Sequence, residues 1–216
     1  MAGRFDPRFE DLPASLPIFP LPGVLLLPRG RLPLNIFEPR YLAMIRDALA
    51  TDRLIGMIQP TEAEMAAPAV YGLGCAGRIT QFSETDDGRY LITLTGLCRF
   101  KVVEELATIG GYRRIKPDFS AFRADLSCDA GPIDRERLIA ALKIYFKRQG
   151  LSVDWSSIEH ASPEKLVNSL AMICPFDACE KQALLEAECL AVRSGILTAI
   201  IELAIAEHPR EDPTRH

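Results

Sequence analysis

Apolar residues in the first forty positions occur in short runs that prolines interrupt. Because proline has no backbone N–H, we expect residues 18–19 and 24–27 to form short strands at a sheet edge or strands that end in turns. Nothing in this region has the pattern of a central parallel strand. After Glu38 the apolar residues follow helical spacing, and Pro39 suits a first helical position. The pattern predicts a helix over residues 38–50.

Residues 54–119 have the pattern of short strands joined by turns. Glycines at 72, 74 and 77 indicate a strand with a bulge or a close backbone approach. Segments 78–84 and 89–95 flank Thr-Asp-Asp-Gly at 85–88, which predicts a β-hairpin. In the second of these strands Tyr90, Ile92 and Leu94 share one face and Leu91, Thr93 and Thr95 the other, while Gly96 can bend the chain. Curved strands of this kind favour a barrel over a flat sheet. Residues 112–119 predict one more strand.

A stretch mixing polar and chain-breaking residues at 121–132 predicts a domain boundary, beyond which the spacing is helical. Helices are predicted over residues 134–148 and 163–173. A third helix is predicted to begin after the capping box formed by Asp177 and Glu180, and a fourth spans residues 188–206. The last helix is expected to bury Leu190, Leu197, Ile200, Ile201 and Leu203. We therefore divide the chain into a domain of strands over residues 1–120, with an inserted helix near 38–50, and a helical bundle over residues 121–216, in which 209–216 form a frayed tail.

The composition limits the classes of function. Of 216 residues 48% are hydrophobic, and the formal charge of −4 arises mainly in the second half, which argues against a polyanionic partner. Apolar runs in the amino-terminal region are too short to span a bilayer, so we expect a soluble, cytoplasmic protein without membrane contact. Six cysteines in a chain that needs no covalent staple predict buried thiols and no structural disulfide.

Several motifs together resemble one known family. They are the proline-rich segment 16–28, the hexapeptide Ile-Phe-Glu-Pro-Arg-Tyr at 36–41, and segments 74–79, 86–88, 94–100 and 180–186. These residues resemble the amino-terminal, substrate-binding domain of Lon-type ATP-dependent proteases. The resemblance implies an α+β fold, with a PUA-like, mainly antiparallel β-barrel followed by a carboxyl-terminal helical bundle. It also implies non-catalytic binding of unfolded or extended polypeptide, through exposed apolar side chains and an open strand edge, and an AAA+ protease or a chaperone as a further partner.

Catalytic motifs of a complete Lon protease do not occur in this sequence. It holds no Gly-x-x-x-x-Gly-Lys-Ser/Thr phosphate-binding string and no recognisable context for a serine–lysine dyad. The histidines, His160, His208 and His216, have no neighbouring nucleophile motif, and the spacing of Cys174, Cys179 and Cys189 does not match a zinc site. We therefore expect no enzymatic activity, no cofactor and no metal.

Two interpretations of the hexapeptide remain open. In one, Phe37 fills the core between barrel and helix while Glu38 and Arg40 tether the junction; in the other, Phe37 and Tyr41 line a groove for unfolded polypeptide. The candidate peptide-binding residues are Phe37, Glu38, Arg40, Tyr41, Arg78, Phe82 and Arg99.

Other functions have weaker signals. The basic cluster at 112–116 would be the footprint for RNA, the alternative partner of a PUA-like barrel, although nucleic acid is not favoured by the charge balance. The acidic residues Glu84, Asp86 and Asp87 are expected to form a solvated turn. Two alternatives remain. The protein is a hydrolase of unknown type, or it is an adaptor that docks onto a separate AAA+ protease. We expect a monomer or a weak homodimer.

Overall fold

The computed structural model describes residues 8–61, 69–127, 131–150 and 154–207. Six strands are formed by β1 (Leu16–Pro20), β2 (Arg31–Ile36), β3 (Leu54–Ile58), β4 (Leu73–Glu84), β5 (Tyr90–Ile109) and β6 (Tyr112–Asp118). Six α-helices follow or interrupt them: α1 (Pro39–Ala50), α2 (Arg135–Gln149), α3 (Trp155–His160), α4 (Pro163–Ile173), α5 (Ala178–Glu186) and α6 (Leu190–Glu207). A 3-10 helix spans Ser120–Leu126. The expected α+β fold is confirmed.

Five of the strands close into a barrel. The order β5-β4-β3-β1-β6 is completed by pairing of β6 with the carboxyl-terminal half of β5. All pairs are antiparallel except β1 with β3, whose connection passes through β2 and α1. The predicted hairpin is formed by β4 and β5, and a register shift between Ala76 and Gly77 confirms the predicted bulge. The expected mainly antiparallel barrel is therefore present.

Strand β1 lies inside the sheet and is followed by a turn at residues 22–23, so of the two predicted alternatives the edge position was wrong and a strand that ends in a turn is observed. The prediction that no strand of this region is central and parallel was also wrong, because β1 pairs with β3 in parallel. Residues 18–20 pair with β3 and residues 16–18 pair with β6. Pro17 has a pairing partner only on β6, and Pro20 only on β3. Each proline therefore stands where β1 has one neighbour, which is how an interior strand tolerates two missing donors.

Residues 24–27 form a buried loop and not the predicted strand. Leu25, Leu26 and Leu27 are almost completely buried, although none of them pairs with a strand. The loop closes on β5, where the N–H of Arg29 donates to the Gly96 carbonyl and the N–H of Gly96 donates to the Gly30 carbonyl. An apolar run of this length is ambiguous because burial alone does not distinguish a strand from a packed loop.

The helical part follows its predicted caps closely. Asp134, Ser162 and Asp177 each accept a backbone hydrogen bond as N-cap, and Asp177 and Glu180 form the predicted capping box. Helix α6 packs against α2, α4 and α5. Its buried side includes Leu197 and Ile201 as predicted, but also Arg193, Ser194 and Thr198.

Helix α6 is apolar around most of its circumference, and the prediction that Leu203 is buried was wrong, because this side chain is mostly exposed. A helix that is apolar on every side has no unique buried stripe in its sequence.

The expected boundary between domains at residues 120 and 121 stays a prediction, since one continuous hydrophobic core includes residues from both parts.

Buried thiols were predicted correctly for three cysteines. Burial raises the pKa of the Cys98 thiol to about 12 and that of Cys174 to about 11, and it raises the pKa of Cys75 as well. Cys179 and Cys189 are exposed, contrary to the prediction. Cys128, His208 and His216 lie outside the described residues.

Candidate functional site

A three-stranded extension projects from the barrel and consists of residues 31–36 of β2, 79–84 of β4 and 90–95 of β5. Residues directly opposite each other on antiparallel strands point to the same face. Leu34, Ile92 and Phe82 form one such row. Asn35, Leu91 and Ser83 form the next row and point to the other face. We call the face of Leu91 the outer face, because Ile92 is buried and Leu91 is 46% exposed.

The outer face carries two large apolar side chains. Leu91 lies among exposed polar neighbours on the flanking strands. Phe37, the residue after β2, is 61% exposed, and its ring centroid lies 6.0 Å from the guanidinium carbon of Arg89. A shallow groove of about 590 Å³ crosses the three strands and is lined by Pro33, Leu34, Asn35, Gln81, Phe82, Ser83, Leu91, Ile92 and Thr93. Exposed apolar residues in such a setting are typical of contact sites for other chains.

Strand β2 is an open edge of the sheet, since within the described ranges it pairs only with β5. The hydrogen bond from the Gly96 N–H to the Gly30 carbonyl shows which residues bond to β5. Because hydrogen-bonded pairs alternate along an antiparallel ladder, the backbone groups of Arg31, Pro33 and Asn35 point away from β5. The edge therefore offers three carbonyls but only two N–H groups, because Pro33 has none.

The hexapeptide motif is split between surface and core. Phe37 is exposed, so the interpretation in which it fills the core was wrong for this residue. Tyr41 is buried with its ring centroid 4.2 Å from that of Phe19, so it does not line an open groove. Burial raises the pKa of the Tyr41 hydroxyl. Glu38 and Arg40 form an ion pair at 2.9 Å at the start of α1.

The remaining candidate residues are not gathered at one place. Arg78 is half-buried at the base of the extension, opposite Thr95. Phe82 is 44% exposed, but it lies on the face opposite Phe37, where its ring packs edge-on against Tyr90 at 5.0 Å. Arg99 is only 4% exposed and cannot contact a peptide in this structure, so we withdraw it from the candidate set.

Arg99 instead joins the barrel to the helices. Its Nε and Nη2 donate to the two carboxylate oxygens of Asp125 at 2.9 and 3.0 Å. Its Nη1 donates to the carbonyls of Leu185 and Ala187 at the end of α5. The alternation along β5 did not reveal this role, because the residues that contact Arg99 lie up to 89 positions away in the sequence.

Leu91, Pro33 and Asn35 were not predicted as site residues. For Leu91 a signal existed, because the alternation had placed it on a face otherwise formed by threonines. In the basic cluster at 112–116, Tyr112 is buried, Arg113 forms a bidentate pair with Glu105, and Arg114 donates to Ser15, whereas Lys116 is exposed. Among the described residues, no group of three or more potential ligands is placed to hold a metal ion. In those same ranges, no helix is long and apolar enough to cross a membrane.

The closed barrel therefore presents an open strand edge beside exposed apolar side chains, the two features that an extended peptide needs in order to add to a sheet. Residues 15–202 match the family model described as the ATP-dependent protease La (LON) substrate-binding domain. The chain belongs to this family.

Similar proteins agree with this assignment. Lon protease 2 of Myxococcus xanthus is 36% identical over 98 residues, which are 44% of this chain and 12% of that protein. The Lon protease of Heliobacterium modesticaldum is 24% identical over 207 residues, which are 91% of this chain and 25% of that protein. The chain thus spans a quarter or less of the length of these two relatives.

Two solved structures share the fold. The crystal structure of a Lon N-terminal domain protein from Xanthomonas campestris superimposes with a TM-score of 0.62 at 24% identity, over 86% of this chain and 97% of that one. The N-terminal domain of the Mycobacterium avium complex Lon protease gives a TM-score of 0.60 at 15% identity, over 90% of this chain and all of the other. The expected resemblance is therefore confirmed for family and fold.

Proposed function

We propose that this protein binds unfolded or extended polypeptide at the three-stranded extension, without catalysing a reaction. The observation that carries the proposal is the open edge of β2 next to Phe37 and Leu91. An extended segment that adds to β2 would gain backbone hydrogen bonds, and its alternate side chains would contact the outer face. Membership of a substrate-binding-domain family supports the same activity. Delivery of the bound chain to a separate AAA+ protease is part of this proposal.

RNA binding receives less support. The cationic residues at 113 and 114 already have partners on the protein, which lowers the gain available from phosphate contacts. A domain that binds extended polypeptide needs exposed apolar side chains beside a strand edge, and both are present at the extension.

Replacing both Phe37 and Leu91 with serine is expected to weaken peptide binding at least tenfold. Each substitution removes apolar surface whose burial contributes about 1.5–3 kcal/mol when complete, and tenfold corresponds to about 1.4 kcal/mol. Binding is measured by fluorescence anisotropy with labelled peptides from an unfolded protein, and peptide integrity is followed by mass spectrometry. The matched control is Ile144→Ser on α2, which is similarly exposed at 48% but lies outside the extension. Equal affinity in the double variant and the control would refute the proposed site.

Replacing Pro33 with threonine is expected to tighten peptide binding about three- to tenfold. The new N–H points to the open edge and can donate to the added strand, and one such bond contributes about 0.5–1.5 kcal/mol. Pro33 is exposed and lies in a non-hydrogen-bonded pair with Thr93, so the fold should not change. Titrations compare it with Pro132→Thr, an exposed proline outside the extension. Unchanged or weaker binding would show that peptides do not add to β2.

A further inference from the structure

A cavity of about 320 Å³ lies between the loop that precedes β2 and helix α4. Its wall is formed on one side by Pro28, Arg29, Gly30 and Arg31, and on the other by Ser162, Glu164, Lys165, Asn168, Ser169, Met172 and Ile173. A volume of this size is at the lower end of the range for ligand sites and fits a side chain and a small polar group, not a cofactor. Arg31, the first residue of β2, belongs both to this cavity and to the outer face, whereas Phe37 and Leu91 do not line the cavity.

The apolar part of the lining comes from the end of α4. Met172 lies directly against Gly30, where an added Cβ would be 2.3 Å from the Met172 Sδ. Ile173 is 80% exposed, the largest exposed fraction among the bulky apolar side chains described. Flexible methionine beside a branched aliphatic residue suits an apolar side chain of variable shape.

Two cations in the lining have no carboxylate partner among the described residues. Arg29 is paired with Glu164, since its Nε donates to Oε2 at 2.7 Å, and it also donates to the Asp125 carbonyl. The amide of Asn168 is engaged with the Pro28 carbonyl and with Arg193. Arg31 and Lys165 take part in no such pair and are both exposed. The charge left in the lining is therefore positive and complements an anionic group.

The direction of β2 relates this cavity to the open edge. Strand β2 begins at Arg31 and runs away from the cavity. A peptide that pairs with β2 in the antiparallel direction therefore runs with its carboxyl-terminal end toward Arg31. In that direction the terminal carboxylate and the last side chain arrive where cations and apolar residues meet.

We propose that the cavity between Pro28–Arg31 and α4 binds the carboxyl-terminal residue of a polypeptide. An apolar last side chain lies against Met172 and Ile173, and Arg31 and Lys165 hold the terminal carboxylate. The inference rests on the proposed function, because the rest of the peptide lies along β2. It adds a preference that the outer face does not explain: apolar free carboxyl ends over internal or blocked segments.

The test uses amino-terminally labelled peptides of one extended sequence that end in leucine with a free carboxylate, in leucine amide, or in serine with a free carboxylate. With the wild-type protein we expect the leucine acid to bind about tenfold more tightly than either of the others, as charge-assisted hydrogen bonds and apolar burial each predict. The difference between acid and amide should shrink between 50 and 300 mM salt.

In the double variant Arg31→Gln, Lys165→Gln, the acid and the amide should bind equally, at the affinity that the amide has for wild type. The control Lys101→Gln, Lys147→Gln removes the same charge from exposed sites outside the cavity and should keep the tenfold preference. Equal, saturable binding of acid and amide to wild type would overturn the cavity assignment and leave the proposed function standing. Absence of saturable binding for all three peptides would overturn both.

Discussion

Replacing Arg99 with methionine is expected to lower the free energy of unfolding by about 3–5 kcal/mol. Methionine removes the partner of a buried charge, because both carboxylate oxygens of Asp125 accept hydrogen bonds from the Arg99 side chain. Breaking a buried ion pair by removing one member leaves the other charge without compensation in the interior. The substitution also deprives the Leu185 and Ala187 carbonyls of their donor. For a domain whose total stability is about 5–15 kcal/mol, this loss is large.

Urea unfolding followed by circular dichroism measures this change. The control is Arg113→Met, which also breaks a bidentate pair, with Glu105, but at a more exposed place on the barrel. Exposed pairs contribute about 0–1 kcal/mol, so the control should change stability little. Combining Arg99→Met with Asp125→Leu should recover part of the loss, because the unpaired charge is then gone. A loss below about 1 kcal/mol for Arg99→Met would show that the ion pair does not join barrel and helices.

The elements predicted correctly from the sequence are those whose signals are local. The hairpin needs only its alternation and the glycine at 88, and the helices after Asp134, Ser162 and Asp177 begin where their caps are. Such signals act within four or five residues, so their outcome depends little on the rest of the fold.

The errors concern residues whose environment is made by distant segments. An interior strand excludes proline only where it has neighbours on both sides. The two neighbours of β1 are staggered, so Pro17 and Pro20 each have a neighbour on one side only, and they do not indicate an edge strand. Alternation along β5 correctly places Arg99 on the face opposite Cys98 and Phe100. The pattern cannot show that the face of Arg99 is covered by the Ser120–Leu126 helix and the end of α5. Tertiary contacts override the local pattern in both cases.

The candidate site shows the same division. Phe37 was identified from a motif, and the structure places it at the surface beside the open edge. Leu91 and the unpaired backbone groups of Arg31 and Asn35 become a surface only when β2 pairs with β5 and leaves its other edge open. A free strand edge is a property of sheet order, which a single sequence does not specify.

Replacing Gly96 with alanine is expected to lower the free energy of unfolding by about 3 kcal/mol. The added Cβ would lie 2.1 Å from the carbonyl oxygen of Leu27 and 2.8 Å from its carbonyl carbon, so backbone atoms would have to move. The loop cannot retreat freely, because the hydrogen bonds that join Arg29 and Gly30 to Gly96 measure 2.8 and 2.9 Å. Overpacking costs about 1–3 kcal/mol, and each weakened hydrogen bond adds about 1 kcal/mol.

Gly72→Ala is the matched control, because an added Cβ there meets no heavy atom within 4 Å, and its stability should stay within about 1 kcal/mol of wild type.

The loop that contacts Gly96 also supplies Pro28–Arg31 to the cavity, so the Gly96 variant tests stability and recognition together. Under conditions where the variant is still folded, we expect the preference for a free carboxyl end to shrink while binding of the amide peptide persists. The clash displaces the loop that carries Pro28–Arg31, and Phe37 and Leu91 lie outside this loop. An unchanged preference in a destabilised variant would therefore show that recognition of the carboxyl end does not depend on the position of this loop.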